Sequence, residues 1–187
     1  MSVSRAFLAG VRDMSPMLLG VVPFGVVAGL AVVEIGLGAL HALGFSIGIF
    51  AGAAQLASVD LLGADAHLAV VVGTALVINS RMLMYSASIA PHLAGEPLPR
   101  RALASYLLVD QVYALSVIRY GVDPDPATRL PYYLGSGAIL WVCWQLANLV
   151  GVLVGGAIPE SVPLGFAVPM TFIALIVPTV SDRPTVA

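Results

Sequence analysis

Six stretches of this chain, near residues 16–35, 43–64, 68–90, 102–120, 132–158 and 164–180, are long, apolar and almost free of charge. A helix that crosses a bilayer needs about 20 predominantly apolar residues, and each block meets or nearly meets that length. In lipid every backbone N–H and C=O must be bonded within the protein, so blocks of this kind become helices. The charge content agrees. Only 10% of the 187 residues are charged, against about 25% in soluble domains, which is too few to clothe a water-facing surface. The expected fold is all-α: a polytopic transmembrane helix bundle of about six hydrophobic segments, some proline-broken or re-entrant. Loops are short, so 1–187 reads as a single transmembrane domain embedded in the lipid bilayer.

Residues 1–15 carry Arg5 and Arg12 and place Phe7, Val11 and Met14 on one helical face, as an interfacial helix would. A basic start before an apolar run also fits a signal peptide, but five further apolar blocks favour a first transmembrane helix. The net charge of −2 points away from nucleic acid. Arginine bias between loops favours an N-terminus inside the cell. It does not count the spans. With six spans, Arg5, Arg12, Arg129 and Arg183 lie inside and Arg100 and Arg101 outside. With block two re-entrant, Arg5, Arg12, Arg100 and Arg101 lie inside and Arg129 and Arg183 outside.

Pro23 in GVVPFG and Pro169 in FAVPMTF each remove a backbone donor and clash with the preceding turn, so a helix break is expected at both. Paired interrupted helices are a mark of transporter repeats with a midplane site. Gly44, Gly48 and Gly52 fall four apart, as helix-packing glycines do, and Gln55 extends their stripe. Gly25 with Gly29, and Gly151 with Gly155, repeat that spacing. Enzymatic motifs are missing. GFSIG at 44–48 has the letters of a nucleophile elbow, but no strand precedes it. There is no phosphate-binding loop and no metal-ligand spacing, so catalytic residues, metal and cofactor are all expected to be none. Cys143 has no partner for an internal disulfide.

Arg81 sits mid-block in VINSRMLMYSASIAPHL. An arginine at a helix centre costs about 2.5–3.5 kcal/mol on insertion scales, which the surrounding Leu, Ile and Val offset. It still needs a partner or water. Thr74, Ile78, Arg81, Tyr85, Ser88 and His92 follow steps of four and three, a largely polar stripe. Block four supplies Asp110, flanked on its face by Tyr106 and Tyr113. If blocks three and four are antiparallel neighbours, Arg81 and Asp110 lie at similar depth. They are either an ion pair that fixes packing or a site for a zwitterion, with Arg81 taking a carboxylate and Asp110 an ammonium. Asn79, Gln55, Tyr85, and Gln145 and Asn148 on one face of block five with Trp141, complete the candidate binding residues.

VVPFGVVAG, IFAGAAQLA, NSRMLMYSASIAPHL, LLVDQVYAL, WVCWQLANLVG and LGFAVPMTFIALIVP occur in this order over nearly the whole chain. In that order they resemble the AzlC family, the large subunit of bacterial branched-chain amino-acid exporters. The resemblance implies a secondary transporter that exports branched-chain amino acids, and methionine, across the bacterial inner membrane. It also implies a small AzlD-type membrane subunit as partner. Alternatives are an ABC-type permease subunit and a non-transporting membrane scaffold; a homo-oligomer is compatible with the glycine stripes. Met82 and Gln111 stand where the family often has His and Glu. The family usually continues beyond the segment resembling SDRPTVA, so a short C-terminus is expected.

Overall fold

The computed structural model describes residues 2–123 and 125–157. Block six and Pro169 lie outside them. Nine α-helices are described, α1 (Val3–Met14), α2 (Leu18–Glu34), α3 (Ala39–Ile49), α4 (Gly52–Gly63), α5 (Leu68–Asn79), α6 (Arg81–Ile89), α7 (Leu98–Tyr106), α8 (Asp110–Val122) and α9 (Pro126–Ala157), with no strand among the described residues. Three continuous stretches are long and apolar enough to cross a membrane: Val3–Glu34, Leu68–Leu93 and Pro126–Ala157. The first joins α1 to α2 through a 3-10 turn at Ser15–Met17, and the second joins α5 to α6.

α1–α2 and α9 run side by side in the same direction, backbone against backbone. A Cβ at Gly10 would strike the Tyr132 carbonyl, and one at Gly135 the Phe7 carbonyl. Further along, a Cβ at Gly29 would strike the Asn148 carbonyl and one at Gly151 the Val26 carbonyl. With no hydrophobic drive between helices in lipid, such close approach supplies the packing energy.

Blocks two and four are not single helices. Block two stops at Ile49, turns through Phe50 and Ala51, and restarts at Gly52. Block four stops at Tyr106 and restarts at Asp110. The four pieces hold 11, 12, 9 and 13 residues. At about 1.5 Å per residue, each reaches roughly halfway through a 30 Å hydrocarbon layer.

Their contacts along α9 give the direction of each piece. Ser46 meets Gln145, and Gly52 lies against Trp144, then Gln55 meets Asn148 and Gly63 reaches Ile35 at the end of α2. The α3–α4 pair therefore enters from the Glu34 end, turns at mid-depth and leaves by the same end. Ala104 meets Tyr133, Leu107 meets Gly137 and Tyr106 meets Trp141. Tyr120 then returns to Arg129. The α7–α8 pair enters from the N-terminal end and leaves by it. Two hairpins of opposite sense thus meet tip to tip, and the chain order is span, hairpin, span, hairpin, span.

This differs from a bundle of six crossing helices, and from one with block two alone re-entrant. A parallel α1–α2 and α9 with α5–α6 running between them requires both broken blocks to turn back, or neither. Pro23, expected to break block one, lies inside α2. Losing one backbone bond does not end a helix whose neighbours hold it in place. The breaks fall instead where hairpin tips pack on each other. Gly52 belongs to a different helix from Gly44 and Gly48, so the three do not form one stripe. A Cβ at Gly44 or Gly48 would meet nothing within 4 Å among the described residues, whereas one at Gly52 would collide with Phe24. Gly25, Gly29, Gly151 and Gly155 do pack against neighbouring helices, as Gly10 and Gly135 do.

Tyrosines close both hairpins. The Tyr106 hydroxyl donates to the Ile47 carbonyl at 3.0 Å and accepts from Trp141 Nε1 at 2.9 Å. The Tyr133 hydroxyl donates to the Ala104 carbonyl at 2.8 Å. Each bonded carbonyl lies two residues before its helix ends. Helix ends leave carbonyls without intrahelical partners, and at membrane depth these must be satisfied by protein.

Candidate functional site

The hairpin tips and the start of α6 line a cavity of about 160 Å³. An engineered apolar cavity of about 150 Å³ holds benzene, so this space suits one small ligand. Its polar part comes from residues at helix starts: Gly52 and Ala53 of α4, Arg81 and Met82 of α6, Asp110 and Gln111 of α8. Phe24, Leu140 and Trp144 supply apolar wall.

Arg81 Nη1 lies 2.9 Å from Asp110 Oδ2. The side chains are 35% and 39% exposed, and both residues line the cavity. Arg81 Nε and Asp110 Oδ1 have no hydrogen-bond partner among the described residues. The equal depth expected of this pair holds, but for another reason. α8 runs parallel to α6: Arg81 meets Asp110, Tyr85 stacks on Tyr113 with centroids 4.3 Å apart, and His92 meets Tyr120. Asp110 reaches the level of Arg81 because it is the first residue after a hairpin tip. The Tyr113 hydroxyl and Ser88 Oγ are 3.2 Å apart.

The other sequence candidates divide. Asn79 lines a separate cavity of about 220 Å³ against both tips, with Phe50, Ala51 and Tyr106. Gln55 Nε2 donates to Asn148 Oδ1 at 2.8 Å, and Asn148 Nδ2 donates to the Trp144 carbonyl. Ser46 Oγ donates to Gln145 Oε1 at 2.8 Å. Gln55, Gln145 and Asn148 thus tie the first hairpin to α9 and are absent from the lining of the central cavity. Sequence reasoning passed over Trp144, which is 4% exposed and has an unpartnered Nε1. Its signal was its place in WVCWQLAN, one residue before Gln145. It also passed over Phe50, whose φ of 39° is left-handed. A bulky residue there is uncommon and marks an over-determined turn.

No His, Cys, Asp and Glu grouping among the described residues could hold a metal.

The family model described as AzlC protein matches residues 16–158. The chain belongs to the AzlC family. Among relatives, the inner membrane protein YgaZ of Escherichia coli is 24% identical over 179 residues, 92% of this chain and 73% of that one. An uncharacterized membrane protein of Helicobacter pylori is 28% identical over 153 residues, 80% of this chain and 66% of its own length. One of Archaeoglobus fulgidus is 25% identical over 187 residues, 98% of this chain and 80% of that one. No solved structure matches. The AzlC match covers every described element from the 3-10 turn to α9, and so includes both hairpins and the cavity between them. With three long apolar helices, this AzlC chain is a membrane protein.

Proposed function

We propose that this AzlC-family chain is a secondary transporter subunit that exports small apolar amino acids, the branched-chain ones and methionine, across the bacterial inner membrane. One observation carries the reading: two half-length hairpins of opposite sense meet at a central cavity that holds an Arg81–Asp110 pair. Half-helices meeting at mid-depth from opposite sides are how inverted-repeat transporters build a site open to either face by turns. Intramembrane ionisable residues mark such pathways. The apolar wall suits an apolar side chain, and the ion pair suits the polar end of an amino acid.

Orientation follows from charge. Arg5, Arg12, Arg100, Arg101 and Arg129 gather at the N-terminal end of the bundle, while Glu34, Asp60 and Asp65 lie at the other. The N-terminal end is therefore cytoplasmic. A small AzlD-type subunit is the proposed partner. The α5–α6 surface carrying Leu76, Val77, Leu83 and Met84 is exposed among the described residues and is available to lipid or to that subunit.

The test is efflux of leucine, valine and methionine from preloaded cells that express this chain with its small subunit. Efflux that persists through ATP depletion under a maintained proton gradient, and falls at least about tenfold in Arg81→Gln/Asp110→Asn at normal membrane abundance, supports the reading. Normal efflux in that double variant removes the site.

A further inference from the structure

We propose that the seam between α6 and α8 is the water-filled route from the central cavity to the N-terminal end of the bundle, and that the stacked rings of Tyr85 and Tyr113 close it beneath Arg81 and Asp110. This rests on the functional reading above and deepens it, by naming the way a small solute passes between the cavity and the cytoplasm.

α6 and α8 run in parallel from mid-depth toward that end, and polar side chains follow the seam. The Tyr85 hydroxyl reaches the Asp110 carboxylate. The stacked tyrosine rings come next, then Ser88 Oγ at 3.2 Å from the Tyr113 hydroxyl, then His92 against Tyr120 with ring centroids 4.9 Å apart. The Tyr120 hydroxyl donates to the Arg129 carbonyl near the start of α9. Asp110 and Tyr120 are ten residues apart, which is about 15 Å of helix and about half of the hydrocarbon layer. On the other side of the ion pair the span is α5, whose one hydroxyl is Thr74 and which packs against α4. The polar lining therefore belongs to the N-terminal half.

This lining is accessible. Ser88 is exposed, and Tyr85, Tyr113 and His92 are half-buried. Ser88 and Tyr113 carry two hydroxyl donors, and their mutual bond uses one; the other has no acceptor among the described residues. A hydroxyl in that state is costly in hydrocarbon and satisfied in water. Lipid suits the part of this span that exposes Leu83 and Met84, and water suits the seam.

One level of the seam is shut. The rings of Tyr85 and Tyr113 lie 4.3 Å apart and within 15° of parallel, a stacking contact with no room for a solute between them. Tyr85 follows Arg81 by one helical turn and Tyr113 follows Asp110 by the same. Parting the rings joins the cavity to the lower seam.

The test uses single cysteines in a Cys143→Ala background. A membrane-impermeant methanethiosulfonate is applied from the side that labels Ala127→Cys. Thiols react as thiolates, which form in water and not in lipid. Ser88→Cys and Val117→Cys lie on the seam; Ala87→Cys and Ile118→Cys are exposed off it at the same depth. The seam pair is expected to react at least about tenfold faster. Gln111→Cys lines the cavity and should react at least about tenfold faster once Tyr85→Ala/Tyr113→Ala removes the rings. If that double variant does not reach the membrane, the comparison on and off the seam decides.

Equal labelling on and off the seam, or none at Ser88 and Val117, overturns the route. Labelling of Gln111→Cys that ignores the loss of both rings overturns the closing pair. Seam labelling without leucine efflux leaves the route standing and removes the amino-acid reading. Leucine efflux without seam labelling overturns the route and leaves that reading in place.

Discussion

Tyr106, at the tip of the second hairpin, donates its hydroxyl to the Ile47 carbonyl near the tip of the first, at 3.0 Å. Its ring stacks on Phe50, with centroids 5.8 Å apart. The two hairpins are thereby one mechanical unit at mid-depth. Tyr106→Phe leaves the Ile47 carbonyl and Trp141 Nε1 without that partner, at a cost of about 1–3 kcal/mol. Tyr133→Phe orphans only Ala104. We expect both to lower the unfolding midpoint in detergent, and Tyr106→Phe to depress transport further because it also loosens the tip contact. Equal transport loss at equal stability would argue against a special role for that contact.

The hairpin topology is checked by chemical labelling. In a Cys143→Ala background, single cysteines at Gly38 and Ala64 should react with an impermeant maleimide from one side of the membrane. Cysteines at Gly95 and Ala127 should react from the other. Labelling of positions 38 and 64 from opposite sides would show that block two crosses the membrane.

Arg81 and Asp110 predict a non-additive pattern. Arg81→Gln or Asp110→Asn alone leaves an uncompensated charge, costing about 1–3 kcal/mol for a pair that is one-third exposed. The double neutral variant should recover much of the lost abundance and none of the transport. The measurement is membrane abundance beside efflux for all three variants. Additive losses in abundance would mean that the two charges do not act as a pair.

Glycine positions separate by packing. Gly29→Ala and Gly151→Ala should each cost about 1–3 kcal/mol, because a methyl group must push two helix backbones apart. Gly44→Ala and Gly48→Ala should be neutral or stabilising by up to about 1 kcal/mol, from helix propensity alone. Unfolding midpoints in one detergent would rank them. A destabilised Gly48→Ala would show that this face is covered by something outside the described residues.

Asp123 caps the turn between α8 and α9. The Asp125 N–H holds its carboxyl below the usual carboxylate range, helped by the Thr128 hydroxyl and the Arg119 guanidinium, while burial works against them. A depressed carboxyl stabilises the fold fully above its unfolded pKa, near 3.9. That contribution is lost as pH falls through the lower folded value. Asp123→Asn should therefore lower the unfolding temperature at pH 7, and the gap to the parent chain should close as pH falls through that lowered folded value. A gap independent of pH would assign the effect to lost hydrogen bonding and not to charge.

Much was legible without coordinates. The apolar blocks announced helices in a membrane, because lipid permits little else. The paired Arg81 and Asp110 were found by the cost of an unpaired charge at membrane depth. Gly25, Gly29, Gly151 and Gly155 declared a close helix crossing by their spacing. The helix breaks were not legible. Proline was the available signal, yet Pro23 sits inside α2, and the chain turns at Phe50–Ala51 and Leu107–Val109, where there is no proline. The local composition at those turns is as apolar as a crossing helix. The turns form because each tip finds the other, together with a tyrosine to bond its open carbonyl.

The sequence by itself thus determined the solvent, the helical class and the charges that must meet. Those properties follow from transfer energies and backbone bonding, which depend on residue type and short-range spacing. Tertiary structure alone decided that two blocks fold back, that α6 and α8 run parallel, and that Gln55, Gln145 and Asn148 brace the hairpin while Trp144 lines the cavity. Those outcomes depend on which distant segments touch, and nothing in the local period of an apolar run records that.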